Sequence, residues 1–189
     1  MPKLRRIAWD ACMWIAAIQR EQYQLEDGSI EDRDLLCRSV IAAAIGRQFE
    51  ITCSALALVE VCKAPSEDAD PGDQAIIFDF FRHSWVTMVA VNTEVGEIGR
   101  ALMMHGYPGL KPADATHIAS ALVAEATEFQ TFDRRLLALD GMIAMKTGGT
   151  LAIRKPKLRG QISLFEGGGA IPSAPQRPTL PVSASAPSQ

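Results

Sequence analysis

Short apolar segments of two to six residues alternate along most of this chain with longer stretches of helical spacing, and that alternation constrains the fold more than any other feature. The segments Leu4 to Trp9, Ile51-Thr52, Val86 to Val91, Phe129 to Phe132 and Thr150 to Ile153 read as strands. Between them, helices are predicted from Ala11 to Ile18, Glu31 to Ile45, Ala55 to Lys63, Asp73 to His83, Thr93 to Met104 and Pro112 to about Ala126. Leu35, Leu36, Ser39, Val40 and Ala43 give the second of these an inner face at three-and-four spacing. Asp133 begins a helical turn through Leu139, and Met142 to Met145 is a further candidate strand. Strand and helix in alternation predict an α/β fold in three layers, with a mainly parallel central sheet flanked by helices.

Size allows one such domain: 189 residues, of which 48% are apolar, suffice for one core but are few for two. No apolar run approaches the roughly 20 residues that a membrane-spanning helix needs. Asp10 interrupts the apolar N-terminal stretch before a signal-peptide core forms, so a cytoplasmic location is expected. From Lys155 onward Pro, Ser, Gly and Ala dominate. The expected division is therefore a folded domain over 1–154 and a disordered tail over 155–189, because such a composition buries too little apolar surface to offset ordering entropy.

Charge divides unevenly at the same boundary. Residues 1–153 hold 14 Lys and Arg against 21 Asp and Glu, a net of −7, whereas 154–189 hold 5 against 1, a net of +4. A net-acidic body is a poor nucleic-acid binder by itself, but cations held by clustered carboxylates would change the local balance. Cys12, Cys37, Cys53 and Cys62 form no C-x-x-C pair, and His83, His105 and His117 complete no zinc spacing with them. Reduced thiols are expected, and any metal must be held by oxygen.

Ligands of open parallel sheets bind beyond the carboxyl ends of the strands. Asp10 follows the first strand, Asp133 follows the strand ending at Phe132, and Asp114 stands in the first turn of a helix entered from a loop. Each also has a bland reading: Asp10 and Asp133 suit helix N-caps, and Asp114 complements a helix dipole. Glu60 is harder to explain away, since its helix is otherwise apolar and an unpartnered buried carboxylate is heavily penalised.

Four blocks of the sequence resemble the PIN-domain family, and especially the VapC-like toxins of toxin–antitoxin pairs. They are Ile7-Ala-Trp-Asp10, Ser54-Ala-Leu-Ala-Leu-Val-Glu60-Val, Lys111-Pro-Ala-Asp114-Ala-Thr-His-Ile-Ala-Ser-Ala121 and Phe129-Gln-Thr131-Phe-Asp133-Arg-Arg-Leu136. The resemblance implies a metal-dependent endoribonuclease that uses Mg²⁺ or Mn²⁺ and leaves a 5′-phosphate and a 3′-hydroxyl. It makes Asp10, Glu60, Asp114 and Asp133 the catalytic and metal-binding quartet, with Thr131 as a polar companion. It also implies an RNA substrate, a small antitoxin partner and pairing as a homodimer. The chain departs from the pattern at Cys12, where many relatives carry a hydroxyl or amide residue.

Arg134 and Arg135 are candidates for holding RNA phosphates. His117, one turn from Asp114, either reaches a phosphate or metal or packs beside the site. Trp9, Trp14, Phe80 and Phe81 read as core or dimer surface rather than as base-stacking groups. In the tail, Gln161-Ile-Ser-Leu-Phe165 resembles the short peptide by which bacterial proteins dock on the DNA polymerase sliding clamp, with Gln161, Leu164 and Phe165 as contacts. A contrasting reading is therefore a non-catalytic PIN-like module recruited through its tail to a partner such as that clamp. An aspartyl-phosphate phosphatase ranks lower, because it wants a second Asp where Cys12 stands.

Overall fold

A computed structural model of the chain describes residues 4–61 and 71–158. Its centre is a five-stranded sheet of β1 (Arg6–Trp9), β4 (Glu50–Ser54), β5 (Val86–Val89), β6 (Glu128–Gln130) and β7 (Ala152–Arg154), in the order β5-β4-β1-β6-β7. Every pairing is parallel: Ile7 lies opposite Ile51 on one side and Glu128 on the other. Parallel strands require crossover connections, and the helices supply them.

Pleating sends alternate side chains to opposite faces. Ile7 and Trp9 of β1 join Ile51 and Cys53 of β4 against α1 (Ala11–Gln19) and α2 (Arg33–Ile45), with Met13 and Trp14 completely buried there. Ala8 faces the other way, with Phe129 and Ile153, against α5 (Thr93–His105) and α6 (Pro112–Val123). Two cores on the two faces of one sheet make the expected three layers. Small residues let α5 and α6 approach closely, for a Cβ built on Gly99 would lie 3.6 Å from the Ala115 carbonyl oxygen.

The remaining elements are α3 (Leu56–Val61), α4 (Pro71–Arg82), the short α7 (Arg134–Leu137) and an antiparallel hairpin of β2 (Gln22–Gln24) and β3 (Ile30–Asp32). The hairpin is an addition to the expected fold, in the stretch that joins the first two helices. Met142 to Met145 is not a strand; Ala144 makes one isolated bridge to Thr150, and Ile143 is buried from within a loop. Among the described residues no helix is long and apolar enough to cross a membrane. Cys12, Cys37 and Cys53 are free thiols, while Cys62 lies outside the described residues.

Candidate active site

Strand order determines where a site can form. From β1 the chain proceeds outward through β4 to β5, then crosses back to β6 and β7 on the other flank, so the connections diverge between β1 and β6. The crevice beyond the carboxyl ends of two such strands is the favoured ligand position of an open α/β sheet. Asp10 emerges there from β1 and Thr131 from β6.

Asp10 is only 5% exposed, and its carboxylate is fully engaged. Oδ1 accepts from the Met13 amide at 3.2 Å, capping α1, and from the Cys12 thiol at 2.8 Å. Oδ2 accepts from the Thr131 hydroxyl at 2.6 Å. Burial raises the pKa of Asp10, opposed by the bonds from Cys12 and Thr131 and by the field of His117. Burial and the adjacent Asp10 charge push the Cys12 thiol well above its ordinary value, so it remains protonated and donating. The departure at position 12 is thereby explained: a thiol performs the hydrogen bonding that a hydroxyl would.

From this centre the network continues into α7. The Phe132 amide donates to Cys12 Sγ at 3.2 Å, and the Asp133 amide donates to Thr131 Oγ1 at 2.9 Å. Asp133 caps α7 through the Arg135 amide at 2.8 Å and forms an ion pair with the Arg135 guanidinium. That guanidinium, through its hydrogen bonds first, lowers the pKa of Asp133. It also stands 4.0 Å from Asp114. Asp114 accepts from the Lys111 amide at 3.3 Å, as the first turn of α6 requires, with Pro112 at the position where an N–H is dispensable. Its pKa is raised by burial, and the charge of Asp133 adds to the lift.

Glu60 has a partner that local sequence could not show. His117 Nε2 meets Glu60 Oε2 at 2.5 Å, 57 positions along the chain. His117 is 3% exposed, its Nδ1 is buried with no hydrogen-bond partner, and its field reaches both Asp10 and Asp114. Hydrogen bonds and ion pairs thus link Asp10 through Thr131 to Asp133 and, through Arg135, to Asp114, while Glu60 is held by His117. Among the described residues no three Asp, Glu, His or Cys side chains converge as a ready-made metal shell. The donors are nevertheless hard oxygens whose ionised forms burial disfavours at Asp10 and Asp114, with the charge of Asp133 adding to it at Asp114. That set suits Mg²⁺ or Mn²⁺ held by one or two carboxylates with water completing the sphere.

The flanking residues divide. Arg135 is committed to the acids, whereas Arg134 points outward to Glu26 at 2.7 Å with its side chain 69% exposed. Trp9 and Trp14 are core, as expected, and Trp9 Nε1 donates to Gln130 at 2.9 Å. Gln161, Leu164 and Phe165, the tail residues singled out for partner docking, lie outside the described residues.

A parallel α/β sheet with acids gathered at its switch point defines the class of this protein: a carboxylate-centred α/β domain. The chain belongs to the PIN domain family, whose model matches residues 10–142. Among solved structures it is similar to the VapC20 toxin of Mycobacterium tuberculosis, described as cleaving the sarcin–ricin loop, with 16% identity and a TM-score of 0.50 over 68% of this chain and 90% of that one. It is also similar to VapBC2 of Rickettsia felis bound to a DNA fragment from their promoter, with 14% identity and a TM-score of 0.49 over 78% of this chain and 98% of that one. No curated protein matches the sequence.

Proposed function

We propose that the protein is a divalent-metal-dependent endoribonuclease and the toxin component of a toxin–antitoxin pair, restrained by a small antitoxin. The observation that supports this reading is the relay of contacts that links Asp10 through Thr131 to Asp133 and, through Arg135, to Asp114. Membership of the PIN family supports it, as does the fold shared with a toxin described as cleaving the sarcin–ricin loop.

Asp10 and Asp114 would hold the ion, Glu60 would orient it, and Asp133 would complete the site directly or through water. A bound Mg²⁺ or Mn²⁺ would lower the pKa of an attacking water and stabilise charge on the phosphate oxygens. Thr131 and Cys12 keep Asp10 aimed into the crevice by fixing both carboxylate oxygens. Arg135 balances the acids, and the exposed Arg134 would meet a phosphate of the strand.

The test is cleavage of single-stranded RNA by purified protein with Mg²⁺ or Mn²⁺. Asp114→Asn should fold and fail to cleave; an identical cleavage pattern from both proteins would mark the activity as a contaminant. Calorimetric titration with Mn²⁺ separates this reading from the binding-module alternative, which predicts no site.

A further inference from the structure

Resting on the ribonuclease reading, we propose that Tyr23, on the β2–β3 hairpin, is a base-stacking contact that seats one nucleotide of the RNA strand beside the acidic crevice. The hairpin has no buried face to hold it in place, since all three residues of β2 are exposed. Polar anchors fix it instead: Glu31 with Lys155 at 2.5 Å and Glu26 with Arg134. Arg33, at the start of α2, is the centre of the arrangement. Its guanidinium pairs with Glu21 at 3.1 Å and Glu31 at 3.0 Å, and lies 3.8 Å from the centre of the Tyr23 ring and 4.7 Å from that of Phe132.

This makes a stack that runs outward from the site. Phe132 stands between Thr131 and Asp133 with its amide on Cys12, and its side chain is buried in the core with Trp9 and Met13, so Arg33 packs where that core reaches the site residues. Arg33 covers Phe132, and Tyr23 covers Arg33. One guanidinium separates the two rings, yet Tyr23 retains 41% exposure, so ring surface remains for another flat partner. Arg134 reaches the same hairpin, paired at 2.7 Å with Glu26, three residues along from Tyr23. An aromatic ring beside an exposed guanidinium presents the two groups that a single-stranded nucleotide needs, a stacking face for the base and a cation for the phosphate. Arg134 meets Glu26 through one nitrogen and is 69% exposed, so its other N–H donors can take a phosphate while the pair still holds the hairpin. Arg33 holds the ring in place beforehand, which reduces the ordering cost of binding.

The inference is tested with a fluorescein-labelled single-stranded oligoribonucleotide and a series in which one abasic nucleotide is moved along it. Wild type, Tyr23→Phe, Tyr23→Leu and Tyr23→Ala are compared by anisotropy with Ca²⁺ and by cleavage with Mn²⁺. One abasic position should weaken wild-type and Tyr23→Phe binding about tenfold or more, the usual range for a stacked base. Tyr23→Leu and Tyr23→Ala should bind the intact strand as weakly as the wild type binds that abasic strand, and lose little further on it. Tyr23→Leu keeps an apolar cover on Arg33, so it guards against a purely structural loss in Tyr23→Ala. If the losses from abasic site and substitution multiply at every position, the stacking role is overturned. Coupling in binding without any cleavage would sustain the role and sink the nuclease reading, whereas cleavage without coupling would do the reverse.

Discussion

At Asp10 one carboxylate performs two tasks that favour different protonation states. It caps α1 and sits in a crevice where burial raises its pKa. A raised folded-state value means that the folded chain binds more protons than the unfolded one between the ordinary carboxylate value and the raised one. Stability contributed by this group is therefore present at acid pH and falls as pH rises through that window, then levels off. Asp133, with a lowered value, acts in the opposite direction and loses its contribution as pH falls through the depressed value. Asn at position 10 keeps a capping oxygen without the buried charge. Asp10→Asn should thus melt higher than wild type at neutral pH in chelator, and the gap should narrow on acidification through that same window. Cys12 makes a second residue-scale case. Cys12→Ser should retain stability, whereas Cys12→Val should lose about 1–3 kcal/mol in denaturant unfolding, the usual cost of leaving a buried polar group unpaired.

Elements differ in how plainly the sequence announced them, and the difference is physical. β1 lies inside a sheet covered on both faces, so the apolar run Ile7-Ala-Trp9 marks it, whereas β4, equally interior, is interrupted by Thr52 and Ser54 and was legible only at Ile51-Thr52. The β2–β3 hairpin has no such signature, because Gln22, Tyr23 and Gln24 bury nothing and distant ion pairs hold it. Met142 to Met145 carries the apolar signature without the element, since burying Ile143 needs no ladder. In the site, acids following strands were legible because strand ends are local features. The Glu60–His117 pair was not, because α3 and α6 meet only through the tertiary fold. The α5–α6 contact yields its own expectation. Gly99→Ala places its methyl at ordinary contact distance from Ala115 and should stabilise by about 0.5–1 kcal/mol through helix propensity. Gly99→Leu overfills the same gap and should cost about 1–3 kcal/mol. Chemical unfolding of both variants decides.

For the whole molecule, a cation in the acidic crevice would be a folding ligand as well as a reagent. Mn²⁺ at about 100 times its dissociation constant should stabilise the protein by about 2.7 kcal/mol, visible as a rise in Tm that chelator reverses. Asp114→Asn should reduce that rise, and no response to Mn²⁺ in the wild type would count against the proposed chemistry.

Asp10 and Thr131, which bond across the crevice, are separated by 121 positions of chain. During synthesis the first carboxylate therefore waits for most of the domain to leave the ribosome before its hydroxyl partner arrives. Under the proposed function, a nascent chain would be unable to cut the message being read until β6 takes its place beside β1.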